Sequence, residues 1–265
     1  MTVTPKEVIV MNIANVKDML AGSLNLEPPW VVEGAKFDHE KRQLHIYVGI
    51  DEKAELLCPN CGSPAQRYGY EPKARVWRHA DCFFYMCYVH CRRPRIKCPK
   101  CGIHQISAPF ERKNSRFTLM FEGYAMMLLP DLPRARAAKV LRCNEKTLEN
   151  FMHHWVNKAD EARSLATVAR LAIDETSFKR GHDYVTIAID ADGKRVIYVE
   201  RGRDKEAVAL GADKLSHHDC DCSKISAVTS DMSKSYVPAI AENFPNATHV
   251  IDKFHVKQMV MKALE

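Results

Sequence analysis

The sequence lacks two features that would place the protein in or across a membrane. No apolar run approaches the length of a membrane span, and the N-terminus has no basic-then-apolar export signal. A cytoplasmic protein with no membrane partner is therefore the simplest prediction. In that compartment the ten cysteines are expected to be thiols or metal ligands before they are disulfides.

A strong net charge is also lacking, because 39 lysines and arginines stand against 33 aspartates and glutamates, which gives +6. The length of 265 residues and a hydrophobic content of 46% allow a real core and more than one domain. Much of the positive excess lies in residues 67–116, which include Arg92, Arg93 and Arg95. This stretch predicts a basic surface for DNA phosphates, although a solvated face is the ordinary alternative.

Two cysteine pairs give the strongest local signal. Cys58 and Cys61 form one CPxCG motif, and Cys98 and Cys101 form another. The tight turn of such a motif directs two thiolates at one ion, and four thiolates fit a closed tetrahedral site for structural Zn²⁺. A closed site has no open position for water, so catalysis by this metal is not expected. The alternative is four reduced structural cysteines.

The remaining cysteines are less suited to a metal. The segment CFFYMCYVHC, residues 82–91, alternates like a single strand, which would direct its cysteines to different faces. Residues 217–222, HHDCDC, resemble a ligand cluster but lie between a predicted helix and a predicted strand, where a polar loop is the simpler interpretation. Cys143 lies in a helical pattern and is expected in a core.

From residue 115 the apolar pattern has a helical period. Residues 117–128 predict one amphipathic helix that stops at Pro130. A second helix after Pro133 and a third capped by Thr147 form a helix-turn-helix pattern. Its predicted inward side chains are Ala138, Val140, Leu141, Leu148, Phe151 and Trp155. The last helix would then contact DNA bases or phosphates through Lys146, Glu149, Asn150 and His153, although any helical hairpin gives this pattern.

Two apolar runs, residues 171–173 and 225–228, each lead to an aspartate at or just beyond their end, Asp174 and Asp231. Between them, residues 184–199 predict a hairpin with an Asp-Gly turn. Carboxylates at the ends of neighbouring strands predict an RNase-H-like sheet that holds Mg²⁺ for phosphoryl transfer. An aspartate at a strand end is also a common turn or capping residue, so position alone leaves both interpretations open.

The order of these parts resembles the ISL-three family of bacterial insertion-sequence transposases. The resemblance covers about residues 30–265, and its motifs are the two CPxCG knuckles, the Ser-Arg-Phe-Thr helix, the helix-turn-helix, IDE, GHDY, DADGKRV, GRD, SDMSKSY and VIDKFHV. It implies a DDE transposase that cuts and rejoins DNA with two divalent metal ions. By this resemblance Asp174 and Asp231 are the first two acids, and the four knuckle cysteines bind zinc.

The resemblance implies a multidomain α+β fold. The predicted parts are a hairpin region with a short preceding helix at residues 1–57, a zinc ribbon at 58–110, a helix-turn-helix domain at 111–160, and an incomplete RNase-H-like α/β domain at 165–265. Asp252 and His255 follow the next predicted strand and are expected as active-site neighbours. Lys179, Arg180 and His182 could contact the DNA backbone, or form a solvated turn.

The third acid of the family is a glutamate on a helix far downstream, whereas this sequence ends at Glu265 within an expected helix. Glu242 and Glu265 are poor substitutes, and Asp252 is a weak candidate for the missing ligand. The chain is therefore expected to be truncated, with two of the three carboxylates that two Mg²⁺ ions require.

Two functional classes remain open from the sequence. The first is a transposase that binds the terminal inverted repeats of its own element, as a homo-oligomer on paired DNA ends, and cleaves through Asp174 and Asp231. The second is a catalytically inactive, repressor-like DNA-binding protein that keeps the zinc ribbon and the helix-turn-helix.

Overall fold

The structure, a computed structural model, describes residues 16–179 and 183–264. The helices are α1 (Val16–Ser23), α2 (Leu119–Leu128), α3 (Arg134–Leu141), α4 (Glu145–Ala162), α5 (Lys205–His217), α6 (Tyr236–Asn243) and α7 (Lys253–Leu264). No helix in these two ranges combines the length and the apolar character needed to cross a membrane. The fold divides into two compact units, the first ending at Trp155 and the second starting at Val156.

The strands form three sheets. The strands are β1 (Trp30–Asp38), β2 (Gln43–Ile50), β3 (Leu56–Leu57), β4 (Pro64–Tyr70), β5 (Arg75–Cys82), β6 (Tyr85–Cys91), β7 (Pro94–Cys98), β8 (Gly102–Gln105), β9 (Arg170–Lys179), β10 (Asp183–Asp190), β11 (Arg195–Arg201), β12 (Ala227–Ser230) and β13 (Thr248–Ile251). Their orders are β1-β2-β6-β5, β3-β4-β7-β8 and β11-β10-β9-β12-β13.

The first sheet of the first unit buries one face by simple alternation. Leu44, Ile46 and Val48 of β2 point inward, and they pack with Trp77 and with α1 in one core. The predicted N-terminal hairpin is confirmed as β1 and β2. The predicted helix is confirmed for Val16–Ser23, and its earlier residues lie outside the described part. Because β2 pairs in parallel with β6, this sheet contains residues from both sides of the predicted boundary between the hairpin region and the zinc ribbon at residue 57.

The prediction of a single strand across residues 82–91 is wrong. β5 ends at Cys82 and β6 begins at Tyr85, and the two residues between them form the turn of a hairpin. On β6, Cys87 and Cys91 are four residues apart and therefore point to the same side, into the core. Burial raises the pKa of both thiols to about 12, which suits neutral core side chains rather than metal ligands.

Three helices complete the first unit, and their shared core contains Phe121, Ala138, Leu148 and Phe151. The predicted pair of helices is confirmed as α3 and α4. Two details of that prediction are wrong. Asn144 rather than Thr147 caps α4, since its Oδ1 accepts a hydrogen bond from the Thr147 backbone N–H at 2.7 Å. Val140 does not face inward, because it is 50% exposed.

The second unit is a mixed five-stranded sheet with helices packed on its core. β9, β10 and β11 form an antiparallel meander, and β12 and β13 continue the sheet in parallel with β9. The predicted Asp-Gly turn is confirmed between β10 and β11, where Asp190 Oδ1 accepts from the Gly193 N–H at 3.0 Å. Leu171 and Ile173 of β9 pack with Val228 of β12 in the core. This sheet positions the two predicted acids.

Candidate zinc, DNA-binding and carboxylate sites

The four cysteines of the CPxCG motifs converge on one point. Cys58, Cys61, Cys98 and Cys101 place their sulfur atoms within 4.8 Å of one another, and the Cys61 and Cys98 Sγ atoms are 3.7 Å apart. A tetrahedral zinc ion with bonds of about 2.3 Å requires sulfur separations of about 3.8 Å. The arrangement therefore fits a structural zinc ion held by four thiolates. No other group of three or more potential ligands lies this close among residues 16–179 and 183–264.

Local backbone geometry builds this cluster. The glycine after each motif, Gly62 or Gly102, has a positive φ of 70° or 84°, which a side chain would disfavour. The Gly62 N–H donates to the Cys58 carbonyl at 2.9 Å and closes the first knuckle. Hydrogen bonds from Ser63 lower the pKa of Cys61 to about 6, whereas hydrogen bonding with Cys61 raises the pKa of Cys101 to about 12, so the thiols of this cluster titrate together.

Helix α4 presents a polar exposed side near its N-terminus. Lys146, Asn150 and His153, which the sequence predicts as candidate DNA contacts, are exposed. Glu149 is already engaged, because its carboxylate pairs with Lys146 at 2.8 Å and with Arg134 at 3.3 Å. Lys146 is the main cause of the lowered pKa of Glu149. Lys146 is engaged by the same ion pair, whereas Asn150 is exposed on the same helix.

A buried carboxylate fixes how α4 joins the preceding chain. Glu122 is fully buried and accepts hydrogen bonds from Arg112 at 2.8 Å, Ser115 Oγ at 2.6 Å and Trp155 Nε1 at 2.7 Å. These donors come from the loop before α2 and from α4. Because each partner satisfies part of one buried charge, the network sets the position of α4 within this unit.

Strand register brings Asp174 and Asp231 to the same level of the second unit's sheet. β12 pairs with β9 at a constant offset, 227 − 170 = 57, from Ala227 with Arg170 to Thr229 with Ala172. The pairing ends at Thr229 and β12 ends at Ser230; the same offset, extended by two residues, would set Asp231 opposite Asp174. Both lie on the side opposite the buried side chains of β9 and β12, because side chains alternate along a strand. Asp174 lies within β9 rather than at its end, which corrects the predicted strand length.

Each of these carboxylates uses one oxygen in a local hydrogen bond to a backbone N–H. Asp174 Oδ1 accepts from the Glu175 N–H at 2.8 Å, and Asp231 Oδ1 accepts from the Ser233 N–H at 3.0 Å. Neither second oxygen has a hydrogen-bond partner within the described ranges. Both carboxylates influence buried Tyr236, whose pKa rises to about 12 through burial first and then the charges of Glu175, Asp231 and Asp174. Oxygen ligands on adjacent strands fit a hard divalent cation.

Asp252 follows β13, the strand next to β12, and lies beside Asp231. β13 pairs with β12 at an offset of 248 − 227 = 21, which sets Asp252 opposite Asp231, and the Asp252 N–H donates to the Ser230 carbonyl at 2.8 Å. The Asp252 Oδ2 atom lies 2.9 Å from His255 Nδ1. Since a carboxylate only accepts, Nδ1 carries the proton and Nε2 faces away from Asp252.

Models of three domain families match successive parts of the chain. The zinc finger of IS204/IS1001/IS1096/IS1165 transposases matches residues 55–101, the helix-turn-helix domain of transposase family ISL3 matches residues 106–156, and the ISL3 transposase domain matches residues 171–265. The chain belongs to the ISL3 (ISL-three) family of transposases. The family predicted from the motifs is thereby confirmed.

Two curated relatives are also named as transposases of insertion sequence elements. The chain is 26% identical over 247 residues to the transposase for insertion sequence element IS1557 of Mycobacterium tuberculosis, covering 91% of this chain and 55% of the relative. It is 28% identical over 226 residues to that of IS1001 from Bordetella parapertussis, covering 81% and 52%. The chain thus spans about half the length of the curated relatives it matches. A simian T-cell lymphotropic virus intasome structure, at 13% identity and a TM-score of 0.26 over 51% of this chain and 56% of that one, is too distant to bear on the fold.

The predicted basic surface of this ISL3 protein is only partly exposed. Arg93 has a structural position instead, because its guanidinium pairs with Glu71 at 3.1 Å and Glu111 at 3.3 Å and its side chain is 12% exposed. Arg92 and Arg95 are exposed, and each lies over a tyrosine ring. Among the other predicted groups, Arg180, His182 and Glu265 lie outside the described residues.

Three residues beside the carboxylates were not singled out from the sequence. Glu175 lies on β9 after Asp174 and pairs with Arg203 at 3.6 Å. Tyr236 reaches from α6 to Thr186 Oγ1 at 3.0 Å. The motifs IDE, GRD and SDMSKSY contain all three, but only the paired strands show that these motifs meet at one place.

Proposed function

We propose that this chain binds DNA and provides carboxylates for the strand cleavage and strand transfer of an insertion-sequence transposase. The strand register that brings Asp174 and Asp231 to one level carries the proposal, since each has a carboxylate oxygen without a hydrogen-bond partner among the described residues, and such oxygens suit a divalent cation. Residues 58–110 and 111–160 are assigned to DNA binding, and residues 165–265 to the chemistry. The DNA partner is the pair of terminal inverted repeats of the protein's own element, which calls for at least a dimer.

DNA recognition is assigned to α4 and the exposed arginines of β6–β7. Asn150 is suited to bidentate contact with an adenine edge, and Lys146 and His153 to phosphates or bases. Arg92 and Arg95 add phosphate contacts that do not depend on sequence. Glu149 holds Lys146 and Arg134 in position on the α4 surface.

Asp174 and Asp231 are proposed to hold Mg²⁺ through the oxygens that accept no hydrogen bond from residues 16–179 and 183–264. Two bound ions would supply an activated attacking oxygen and stabilise the leaving oxygen of a phosphodiester. Tyr236 is neutral at neutral pH, as an ordinary tyrosine is, and its raised pKa of about 12 extends that neutral state to more alkaline pH, so it adds no charge beside the carboxylates. Asp252 fixes the tautomer of His255, whose Nε2 is then free to accept a proton or contact a phosphate at the edge of this site.

Metal binding tests the catalytic part of the proposal. Asp174→Asn and Asp231→Asn should each lower Mn²⁺ or Mg²⁺ affinity at least tenfold in calorimetric titrations and abolish metal-dependent nicking of end-containing DNA. Asp213→Asn is the matched control, because Asp213 is exposed on α5. DNA affinity should stay unchanged in all three variants. Unchanged metal binding in Asp174→Asn would reject this site.

DNA binding has its own test. Duplexes enriched from a randomised pool should bind Asn150→Ala about tenfold more weakly, whereas random duplexes should bind it as they bind the unchanged protein. Lys224→Ala, an exposed cation of the second unit, is the control. If the unchanged chain binds enriched DNA but neither binds the ion nor nicks DNA, the repressor-like function is favoured.

A further inference from the structure

The turn between β5 and β6 carries two phenylalanines in a conformation that side chains disfavour. Phe83 and Phe84 have φ values of 50° and 66°, and the flanking Cys82 and Tyr85 are paired. A two-residue hairpin turn with both φ values positive normally uses Asn-Gly or similar residues. A bulky residue with positive φ is a strained outlier, and such strain tends to be retained at functional sites.

The same two rings are displayed to solvent. Phe84 is 92% exposed and Phe83 is 63% exposed. Neither ring contributes to the core clusters, so folding does not account for either side chain. An exposed apolar pair held at a cost in backbone strain indicates a binding function.

The hairpin tip borders a groove of about 920 Å³ in the first unit. Its other wall comes from α2 and α3, and its lining includes Met120, Tyr124 and Val140. This groove also explains why Val140 is exposed although the helical pattern predicted it inside. A planar apolar group beside the hairpin tip could therefore pack against the apolar and aromatic side chains that line this groove.

Charge around the tip favours an anionic partner. Asp81, the acid closest to the tip in sequence, is paired with both Arg78 and Arg142. Arg42 lines the groove, and Arg136 and Lys139 are exposed on α3. None of these three cations has an acidic partner within residues 16–179 and 183–264. The net local charge is therefore positive beside an apolar tip.

The tip is also tied to the helix-turn-helix. Arg142 ends α3 in the left-handed region, and its Nη2 atom donates to the Phe84 carbonyl at 3.2 Å. Two residues later, Asn144 caps α4, the proposed reading helix. The N-terminal end of such a helix approaches the bases in DNA complexes, so the tip lies beside the end that would meet DNA.

We propose that Phe84, supported by Phe83, is an apolar wedge that inserts into a base step of duplex DNA bound by α4. This inference rests on the proposed DNA binding and adds a second contact of different chemistry. Apolar side chains inserted between base pairs unstack and kink DNA, and stacking on an aromatic ring contributes about 1–3 kcal/mol per base. A protein partner would also accept the phenylalanines, but the exposed cations beside the tip and the link to α4 favour DNA.

The test uses a duplex enriched from a randomised pool, labelled with 2-aminopurine at one position at a time. The unchanged chain should raise 2-aminopurine fluorescence at one step next to the preferred sequence. Phe84→Ala should abolish this signal and weaken binding about tenfold, whereas Phe84→Trp should retain both. Met127→Ala is the control, because Met127 is 69% exposed on α2 but does not line the groove.

A second variant separates function from folding. Replacing the pair by the residues that the turn prefers, Phe83→Asn with Phe84→Gly, should raise the thermal midpoint because strain is relieved, yet still remove the fluorescence signal. Unchanged binding and fluorescence in this variant would overturn the wedge, as would a change in self-association with DNA binding intact. If the pool yields no enriched sequence at all, the proposed DNA binding itself fails.

Discussion

The polar sites described in the two units differ in how far protein groups enclose them. In the first unit the buried carboxylate of Glu122 is enclosed by three donors, and four cysteine sulfurs face one point. In the second unit Asp174 and Asp231 each use one oxygen within the chain and leave the other unbonded among the described residues. Enclosed polar sites stabilise a fold, whereas open ones bind ligands. The first unit should therefore lose stability when these enclosed residues change, and the second should lose metal binding when its two open carboxylates change.

The largest expected effect concerns the zinc site. Changing Cys58 and Cys98 to serine removes two of four thiolates, and structural zinc contributes roughly 10–16 kcal/mol to folding in small domains. We expect zinc content to fall from about one ion per chain to none and the first unit to unfold. Tryptophan fluorescence measures this, because Trp30, Trp77 and Trp155 all lie in the first unit.

Cys143→Ser is the matched control, since Cys143 packs in the helical core away from the cluster. It should keep its zinc and most of its stability. A double variant that loses zinc but keeps the unchanged unfolding transition would show that the site is not structural, and the contrast between the units would disappear.

The next effect concerns Glu122. Glu122→Ala leaves the Arg112 guanidinium and the Trp155 N–H without their acceptor, and breaking a buried pair costs about 3–5 kcal/mol. The unfolding transition followed by tryptophan fluorescence in urea should shift by that amount. Glu145→Ala, which breaks the exposed pair with Arg134, should change stability by less than about 1 kcal/mol. Equal costs for both variants would contradict the enclosed network.

A third effect is a pH dependence of the first unit. His79 is buried beside Thr118, and burial first, then the charge of Arg78, lowers the pKa of its imidazole to about 4. The neutral form is therefore favoured in the folded state. Its contribution is fully present above pH 6.5 and is lost as the pH falls from 6.5 through 4, by about 3 kcal/mol.

His79→Gln keeps an acceptor for Thr118 but does not titrate. Its unfolding free energy between pH 6.5 and 4 should therefore fall less steeply than that of the unchanged protein. Acid also protonates the cysteine thiolates, but this contribution is common to both proteins and cancels in the difference. Identical slopes would show that His79 is solvated in the folded state.

Local patterns predicted most of the fold. CPxCG turns, helical periodicity and the Asp-Gly hairpin are signals within a few residues, and the structure contains each of them. The single strand predicted for residues 82–91 was wrong because phenylalanine is common in strands, whereas Phe83 and Phe84 form the turn here. Composition does not show the backbone strain of that turn. The inward position predicted for Val140 was wrong for a related reason, since a helical pattern cannot identify which apolar side chain lines a groove.

The pairing of distant segments lay beyond the sequence patterns. Arg93 belonged to a basic run, but its partners Glu71 and Glu111 meet it only through tertiary contacts. Asp174, Asp231 and Asp252 were recognised individually, and the shared level of all three follows from two strand registers. Sequence therefore identified the residue types of the sites, and the folded strands supplied their geometry.

The smallest expected stability effect tests most directly whether the carboxylates of the second unit, unlike the enclosed groups of the first, contribute little to folding. Asp174→Asn removes a charge that has no ion pair among the described residues and lies near Asp231 and Glu175. We expect the unfolding free energy of the second unit to change by no more than about 0.5 kcal/mol, as for other exposed positions. Hydrogen exchange of β9 and β12 measures it, because the second unit contains no tryptophan. A loss above about 2 kcal/mol would make Asp174 a structural residue of β9, and the polar site of the second unit would then stabilise the fold as those of the first unit do.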